Sequence, residues 1–569
     1  MRLLFLSSFA CLVLVIQPGS GAAIAQDQSL FNFSGGLGFY FDGYSYSQSN
    51  YETFRPRHPS GLGRFSADAT FSAGQHFKMP VAINISTRQN SYHLPSLPDE
   101  RLIDYIQNPR NNISFNPTYR WATAFLGTQT ATYSELTTGD IPMFGVGLEV
   151  NPGDFIATVN YGKSLMGVEY DPFNNIVGAY EQRIFTTRIG YGKMDGTRFA
   201  LNLVKVSDDP NSIASVPPEV RPAEALTLSP LLQFRLSSTV LLATETAASL
   251  NTNDLNGPDL TLEEDLLDLI SPFIQINATS NADLSNTTSL QWRRDQFGIT
   301  GEVRYVGPGF QPAGYRTFER DIIDYTVRTD ARMLDNRLFV NATVGLRTNN
   351  LQNTTLDKTN RTILNLAVFG QVTEQLSVSS TYANFGFRNN VSLDTLRIEM
   401  INNSFSLTPT YQFRTEAHTH IVSVTGTYNQ FDDFNIFEGV FQSTTSYSAN
   451  TSYQIVFNDI PFNAGFQTMY LDITSPMTDI NIIQASVNAR YRLLDKKLTP
   501  SILIAYNNIR RDDFSPDHRW RLNLKSDYKI YQNVDFRISY NFSNYRYGST
   551  RPDALTFENR FQVALVSRF

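Results

Sequence analysis

Residues 534–543 read Val534-Asp-Phe-Arg-Ile-Ser-Tyr-Asn-Phe-Ser543. In that run Val534, Phe536, Ile538, Tyr540 and Phe542 alternate with Asp535, Arg537, Ser539, Asn541 and Ser543. Successive side chains of an extended chain point to opposite sides, so a period of two makes a strand with one apolar and one polar face. The preceding run behaves alike: Trp520, Leu522, Leu524, Tyr528 and Ile530 oppose Arg519, Arg521, Asn523, Lys525, Asp527 and Lys529. Farther upstream, Phe297, Ile299, Val303 and Tyr305 oppose Gln296, Thr300, Glu302 and Arg304. From about Phe33 to Phe569 the chain repeats this pattern, in runs of roughly ten residues separated by turn residues.

A string of soluble β-sandwiches would alternate too, but it would need linkers between domains, and the repeat shows none. Tyr and Phe also gather near the strand ends, as they do where a barrel meets the two membrane interfaces. The expected fold is therefore all-β, a single large antiparallel transmembrane β-barrel. Connector lengths support this independently. Long connectors at 47–60, 87–112, 163–179, 207–222 and 252–283 alternate with short ones at 73–78, 151–154, 192–196 and 237–238. Short turns at 294–296, 334–336, 373–375, 415–418, 458–461, 494–497 and 531–533 continue the series, with long loops such as 307–317, 349–360 and 543–555 between them. Short periplasmic turns and longer outer loops give this parity. The count comes to about 26 strands, plus or minus two, with 112–133 the stretch that divides least cleanly.

Composition agrees. The chain has 569 residues, 13% of them aromatic, a net charge of −7 and one cysteine. Its mean hydropathy of −0.25 excludes a bundle of membrane helices, and no stretch beyond the N-terminus approaches the ~20 apolar residues a spanning helix needs. The absence of any basic tract argues against nucleic acid. At the N-terminus, Arg2, the apolar run from Leu3 to Ile16, the break at Pro18-Gly19 and Ala23-Ile24-Ala25 before Gln26 read as a secretory leader. The expected organisation is a leader over 1–25 and a barrel over 26–569. Loss of Cys11 with the leader would exclude disulfides, thiol catalysis and thiolate metal sites.

The last nine residues, Phe561-Gln-Val-Ala-Leu-Val-Ser-Arg-Phe569, put Phe561, Val563, Leu565 and Phe569 on one face. This resembles the terminal strand of bacterial outer-membrane β-barrel proteins, although Ser567 stands where those strands usually carry an apolar residue. The resemblance implies location in the outer membrane, contact with its lipid, and insertion by the barrel assembly machinery. It names a large porin-like or transporter-like class. The chain departs from the TonB-dependent transporters within it, because only about seven residues separate Gln26 from the first strand and no plug domain is expected there.

Catalytic chemistry is not expected, and neither is a cofactor or a metal. His58, His76, His93, His418, His420 and His518 form no defensible Ser/His or Asp/His constellation; only His418 and His420 share a strand face. With the apolar faces outward, the polar faces line the lumen, and Glu302, Arg304, Arg337, Arg347, Arg521, Lys525, Asp527 and Arg537 are the expected lining charges. Barrels of 16–18 strands already enclose a water channel, so a larger one must be narrowed. Two connectors are candidates: 251–281, where Thr261-Leu-Glu-Glu-Asp-Leu-Leu-Asp-Leu-Ile270 reads as a capped amphipathic helix, more readily part of an outer loop than a constriction folded into the lumen, and the Gly/Pro-rich Val306–Tyr315, which either folds inward or meets a partner. The expected function is an outer-membrane channel or transporter for polar solutes, narrowed by inward loops or by a plug or periplasmic partner. The alternative is a partner-gated secretion conduit or a scaffold barrel.

Overall fold

The computed structural model describes residues 31–50, 57–87, 102–109, 111–139, 141–173, 176–215, 219–260, 271–315, 318–353, 358–389, 399–433, 442–548, 551–552 and 554–569. The expected leader and the expected helix over 261–270 lie outside them. One antiparallel sheet holds every strand. It begins with β1 (Phe31–Ser49), β2 (Gly61–Ala73), β3 (Phe77–Ser86), β4 (Asn112–Phe115), β5 (Thr118–Tyr119) and β6 (Ala122–Thr130). It continues through β7 (Pro142–Val150), β8 (Phe155–Leu165), β9 (Glu181–Gly192), β10 (Arg198–Asp209), β11 (Glu224–Arg235), β12 (Val240–Thr252) and β13 (Ser280–Arg294). Then come β14 (Phe297–Val306), β15 (Ile322–Met333), β16 (Leu338–Asn349), β17 (Thr359–Gln371), β18 (Leu376–Asn389), β19 (Glu399–Arg414) and β20 (His418–Asp433). The last are β21 (Gln442–Phe457), β22 (Phe462–Thr474), β23 (Ile480–Tyr491), β24 (Leu498–Arg511), β25 (Asp517–Tyr531), β26 (Val534–Arg546) and β27 (Leu555–Arg568).

Apart from β4 and β5, each strand pairs with its sequence neighbours, and β27 pairs with β1 from Gly36↔Arg568 to Ser49↔Leu555, which closes the barrel. The stretch that divided least cleanly in sequence contains a broken strand. β4 and β5 both pair with β3 and with β6, and they part at Asn116-Pro117. Counted as one strand, they make the barrel 26-stranded, as expected. Beside the break, Gly127 sits at φ +95°, and a Cβ there would fall 2.1 Å from the Ile113 carbonyl oxygen, so only glycine lets the two strands approach. Twenty-six strands ~4.8 Å apart and tilted ~40° close into a backbone ring roughly 50 Å across.

The outward face is apolar and uncovered. Val344, Leu346 and Val487 are each more than half exposed, which an aqueous surface would penalise and lipid does not. Aromatic rings bound this belt on both sides. Along β25, Trp520 and Tyr528 face outward eight residues apart, roughly 20 Å along the barrel axis at that tilt. At the long-loop end Trp520 packs on Tyr506, and Phe542 on Phe557. At the short-turn end Phe33 stacks on Phe569 at 4.6 Å, and Phe457 on Phe462 at 5.3 Å.

Closure can be tested covalently. Gly35 and Phe569 exchange both backbone hydrogen bonds, so the alternating register makes Gln48 and Thr556 a close, non-hydrogen-bonded pair. Their Cα separation of ~4.5 Å suits a disulfide. The double variant Gln48→Cys/Thr556→Cys is expected to form an intramolecular cross-link on oxidation, seen as a reductant-sensitive gel shift. Absence of the cross-link in folded protein would contradict closure through β1 and β27.

Candidate functional site: the lumen wall and its inward loops

Which face is the inside follows from contacts between strands that are not neighbours. The β6–β7 loop (131–141) reaches β9, β10, β12 and β14, which it can do only through the lumen. Arg188 of β9 anchors it: Nε donates to Asn202 Oδ1 at 2.7 Å, Nη2 donates to the Tyr133 carbonyl at 2.7 Å, and the guanidinium lies 4.5 Å from the Tyr133 ring centroid. The Tyr133 hydroxyl lies 3.2 Å from Thr186 Oγ1 and accepts from Asn160 Nδ2 at 3.2 Å. Burial among these groups holds the Tyr133 phenol above its ordinary range. Beyond it, Ser134 donates to Glu245 at 2.5 Å, and Glu135 pairs with Arg304 at 3.2 Å.

The β14–β15 loop (307–321) joins from the other side. The amide of Ala313 donates to Thr227 Oγ1 at 2.8 Å, that of Gln311 to Ser249 Oγ at 3.1 Å, and that of Gly309 to Asp283 at 2.8 Å. This is the Gly/Pro-rich segment singled out in the sequence, and it folds inward. Its glycines let the loops touch. Gly139 adopts φ +52°, and a Cβ there would meet the Tyr315 hydroxyl at 2.2 Å; at Gly314 it would come 2.8 Å from the Thr138 carbonyl oxygen. Two small apolar clusters seal the junction. One gathers Leu136, Ala247, Val306, Phe310 and Ile322, the other Ala131, Met143, Ile184, Val204, Val206 and Ala313. Phe310 and Val306 are fully buried and Leu136 nearly so, although they lie inside a ring whose other inward residues are mostly polar.

The expected lining charges fall into two groups. Glu302, Arg304 and Arg347 surround the inward loops. Glu302 pairs with Arg328 at 3.6 Å, and Arg347 is held by Asp324 at 2.6 Å and also by Glu319. Arg521, Lys525, Asp527 and Arg537 lie on the inward faces of β25 and β26, where Lys525 opposes Ser539 and Asp527 opposes Arg537. Asp527 lies 3.8 Å from Arg537, and Arg521 donates to Gln484 at 3.3 Å. Arg337 is the exception. It sits at the rim, in the short turn before β16, where its amide donates to the Leu334 carbonyl at 3.0 Å and its carbonyl accepts from the Gln371 amide at 2.7 Å. The sequence reading also passed over Tyr133, Glu135, Leu136, Arg188 and Glu245. An apolar Leu136 inside a short polar connector was the available signal.

His418 and His420 occupy the outward aromatic belt. His420 Nδ1 lies 2.8 Å from the Tyr453 hydroxyl, and its ring stacks on Phe413 at 4.5 Å. Among the described residues no group of three or more His, Cys, Asp and Glu side chains is placed to hold a metal ion.

Phe561, Val563, Leu565 and Phe569 of the closing strand share the outward face, and Phe561 is 42% exposed. A closed, even-stranded barrel with an apolar belt, aromatic borders and connectors alternating in length is the architecture of a bacterial outer-membrane protein.

No family model matches the chain, and no curated protein matches it. Solved structures similar to it include Pseudomonas aeruginosa OpdK with vanillate, at 10% identity over 61% of this chain and 93% of that one, with a TM-score of 0.31. P. aeruginosa OprD is similar at 9% identity over 68% and 95%, with a TM-score of 0.29. A bacterial polysaccharide outer-membrane secretin is similar at 11% identity over 51% and 91%, with a TM-score of 0.26.

The inward loop can be released without opening the wall. Leu136→Asp puts a carboxylate into an apolar site, at a cost of several kcal/mol unless the loop leaves. The expected result is cleavage after Glu135 by a glutamate-specific protease at least tenfold faster than in the parent, with the heat-modifiable gel migration of the folded barrel retained. Equal protection in both proteins would contradict the packing described.

Proposed function

We propose that this barrel is a water-filled channel for polar solutes across the outer membrane, narrowed by its own loops. The observation that carries the proposal is the pair of loops, 131–141 and 307–321, anchored to the inner wall by a shared apolar junction. A barrel serving only as an anchor has no need to stabilise loops inside its lumen. A ring roughly 50 Å across would leak without a constriction, since barrels far smaller already pass water and small solutes. The polar charges on the remaining wall suit a wet lumen, where fixed charge decides which ions and solutes pass.

The charges on β25 and β26 are assigned the role of lumen lining, and Phe561, Val563, Leu565 and Phe569 that of the strand read by the barrel assembly machinery. Deleting the terminal phenyl ring, in Phe569→Ala, also removes the stack on Phe33, so slower assembly of that variant has two causes.

Planar-bilayer recording tests the channel directly. The parent is expected to give stable single-channel steps, and the double variant Leu136→Asp/Phe310→Asp is expected to raise their conductance at least twofold. A folded parent that conducts nothing would overturn the channel reading. Equal conductance in parent and variant would overturn the role of the loops.

A further inference from the structure

Opposite the inward loops, the inner wall of β22 to β27 and β1 carries two adjoining hollows of about 430 Å³ and 450 Å³. They share Arg57, Arg519, Ser543 and Glu558 in their linings. Arg519 and Arg521 lie near the start of β25, so the hollows open just inside the mouth on the long-loop side. Six arginines line them: Arg57, Arg511, Arg519, Arg521, Arg551 and Arg560.

Some of that charge is already matched. Arg511 is paired with Asp517, which also accepts from the Tyr545 hydroxyl at 2.7 Å. Arg560 pairs with Asp42 at 3.0 Å, and Arg57 lies 3.7 Å from Glu558. Arg519 and Arg521 differ. Among the described residues neither has a carboxylate within ion-pairing distance; Arg519 Nε donates to Ser543 at 3.1 Å and Arg521 Nη2 to Gln484 at 3.3 Å. The Nε of Arg521 is buried without a partner. Two guanidinium groups two residues apart on one strand face repel each other, and a buried donor left unmatched costs free energy. An anion seated in the hollows would offset that repulsion through the outer nitrogens of the two forks. Guanidinium forks bind carboxylates bidentately, and the flanking amides Gln467, Gln484, Asn523 and Asn541 offer hydrogen bonds to hydroxyl groups. The volume suits a small molecule.

We infer that this wall is a binding site for a small, hydroxylated organic acid bearing two or more carboxylates, with Arg519 and Arg521, which no carboxylate among the described residues pairs, as its ligands. The inference rests on the channel reading and names its solute class. In this position the site concentrates the anion at the outer mouth before it reaches the constriction.

Citrate and inorganic phosphate serve as probes for detergent-solubilised, folded protein in isothermal titration calorimetry. Citrate is expected to bind the parent and to bind Arg519→Gln/Arg521→Gln at least tenfold more weakly, while Lys529→Gln, at the far end of β25, leaves binding unchanged. No citrate binding by the parent, or equal binding by the Arg519/Arg521 variant, would overturn the site. Tighter binding of phosphate than of citrate would overturn the carboxylate assignment. Because calorimetry needs no ion flow, these outcomes stand apart from a silent bilayer, which overturns only the channel. In a conducting protein, the same double variant is expected to move the reversal potential in a salt gradient toward lower anion preference than the parent.

Discussion

Backbone hydrogen bonding in lipid is the constraint on which the rest of this structure depends. A strand edge left open in hydrocarbon strands a row of N–H and C=O groups at several kcal/mol each, so a sheet in a membrane must close on itself. Here the closure runs through β1 and β27, where Gly35 and Phe569 exchange both amide hydrogen bonds at the last residue of the chain. Once the ring is closed, the alternation of each strand acquires direction. Apolar side chains face lipid, polar ones face the lumen, and the side chains themselves need little further burial. That is why so few of the described side chains are fully buried, and why the apolar clusters lie inside the ring, where loops return to pack against the wall.

Those loops turn a ring into a graded passage. Each is held by one or two apolar side chains with no lipid to enter and by polar bonds to distant strands, through backbone amides in 307–321 and through the Tyr133 carbonyl and side chains in 131–141. Arg188 shows how tightly this is arranged, since one guanidinium binds Asn202, the Tyr133 carbonyl and the Tyr133 ring at once. The result is asymmetric. One side of the lumen carries the loops, with Arg304 and Arg347 paired to their carboxylates, and the other carries Arg519 and Arg521, for which no carboxylate lies within ion-pairing distance among the described residues.

The fold was legible in the sequence because its signal is local. A period of two needs no knowledge of what a strand pairs with, and connector parity follows from antiparallel order alone. The inward fold of 307–321 was legible in part, from glycine and proline where a spacer would be polar. The β6–β7 loop was not, because its partners Arg188, Glu245 and Arg304 lie 55 to 169 residues away in sequence and meet it only after closure. Arg337 shows a simpler limit: a charge next to a strand boundary belongs to the turn or to the wall according to a shift of one residue. Arg519 shares the alternation that identified Arg521, yet its significance came only from seeing which arginines already had carboxylates.

The central claim is a wet lumen narrower than the ring that encloses it. Single-channel conductance measured in the presence of polyethylene glycols of graded size tests it most directly. Small polymers are predicted to enter and lower the conductance, with a cut-off well below the roughly 25 Å radius of the backbone ring. A cut-off approaching that radius, or a folded barrel that never conducts, would contradict the account.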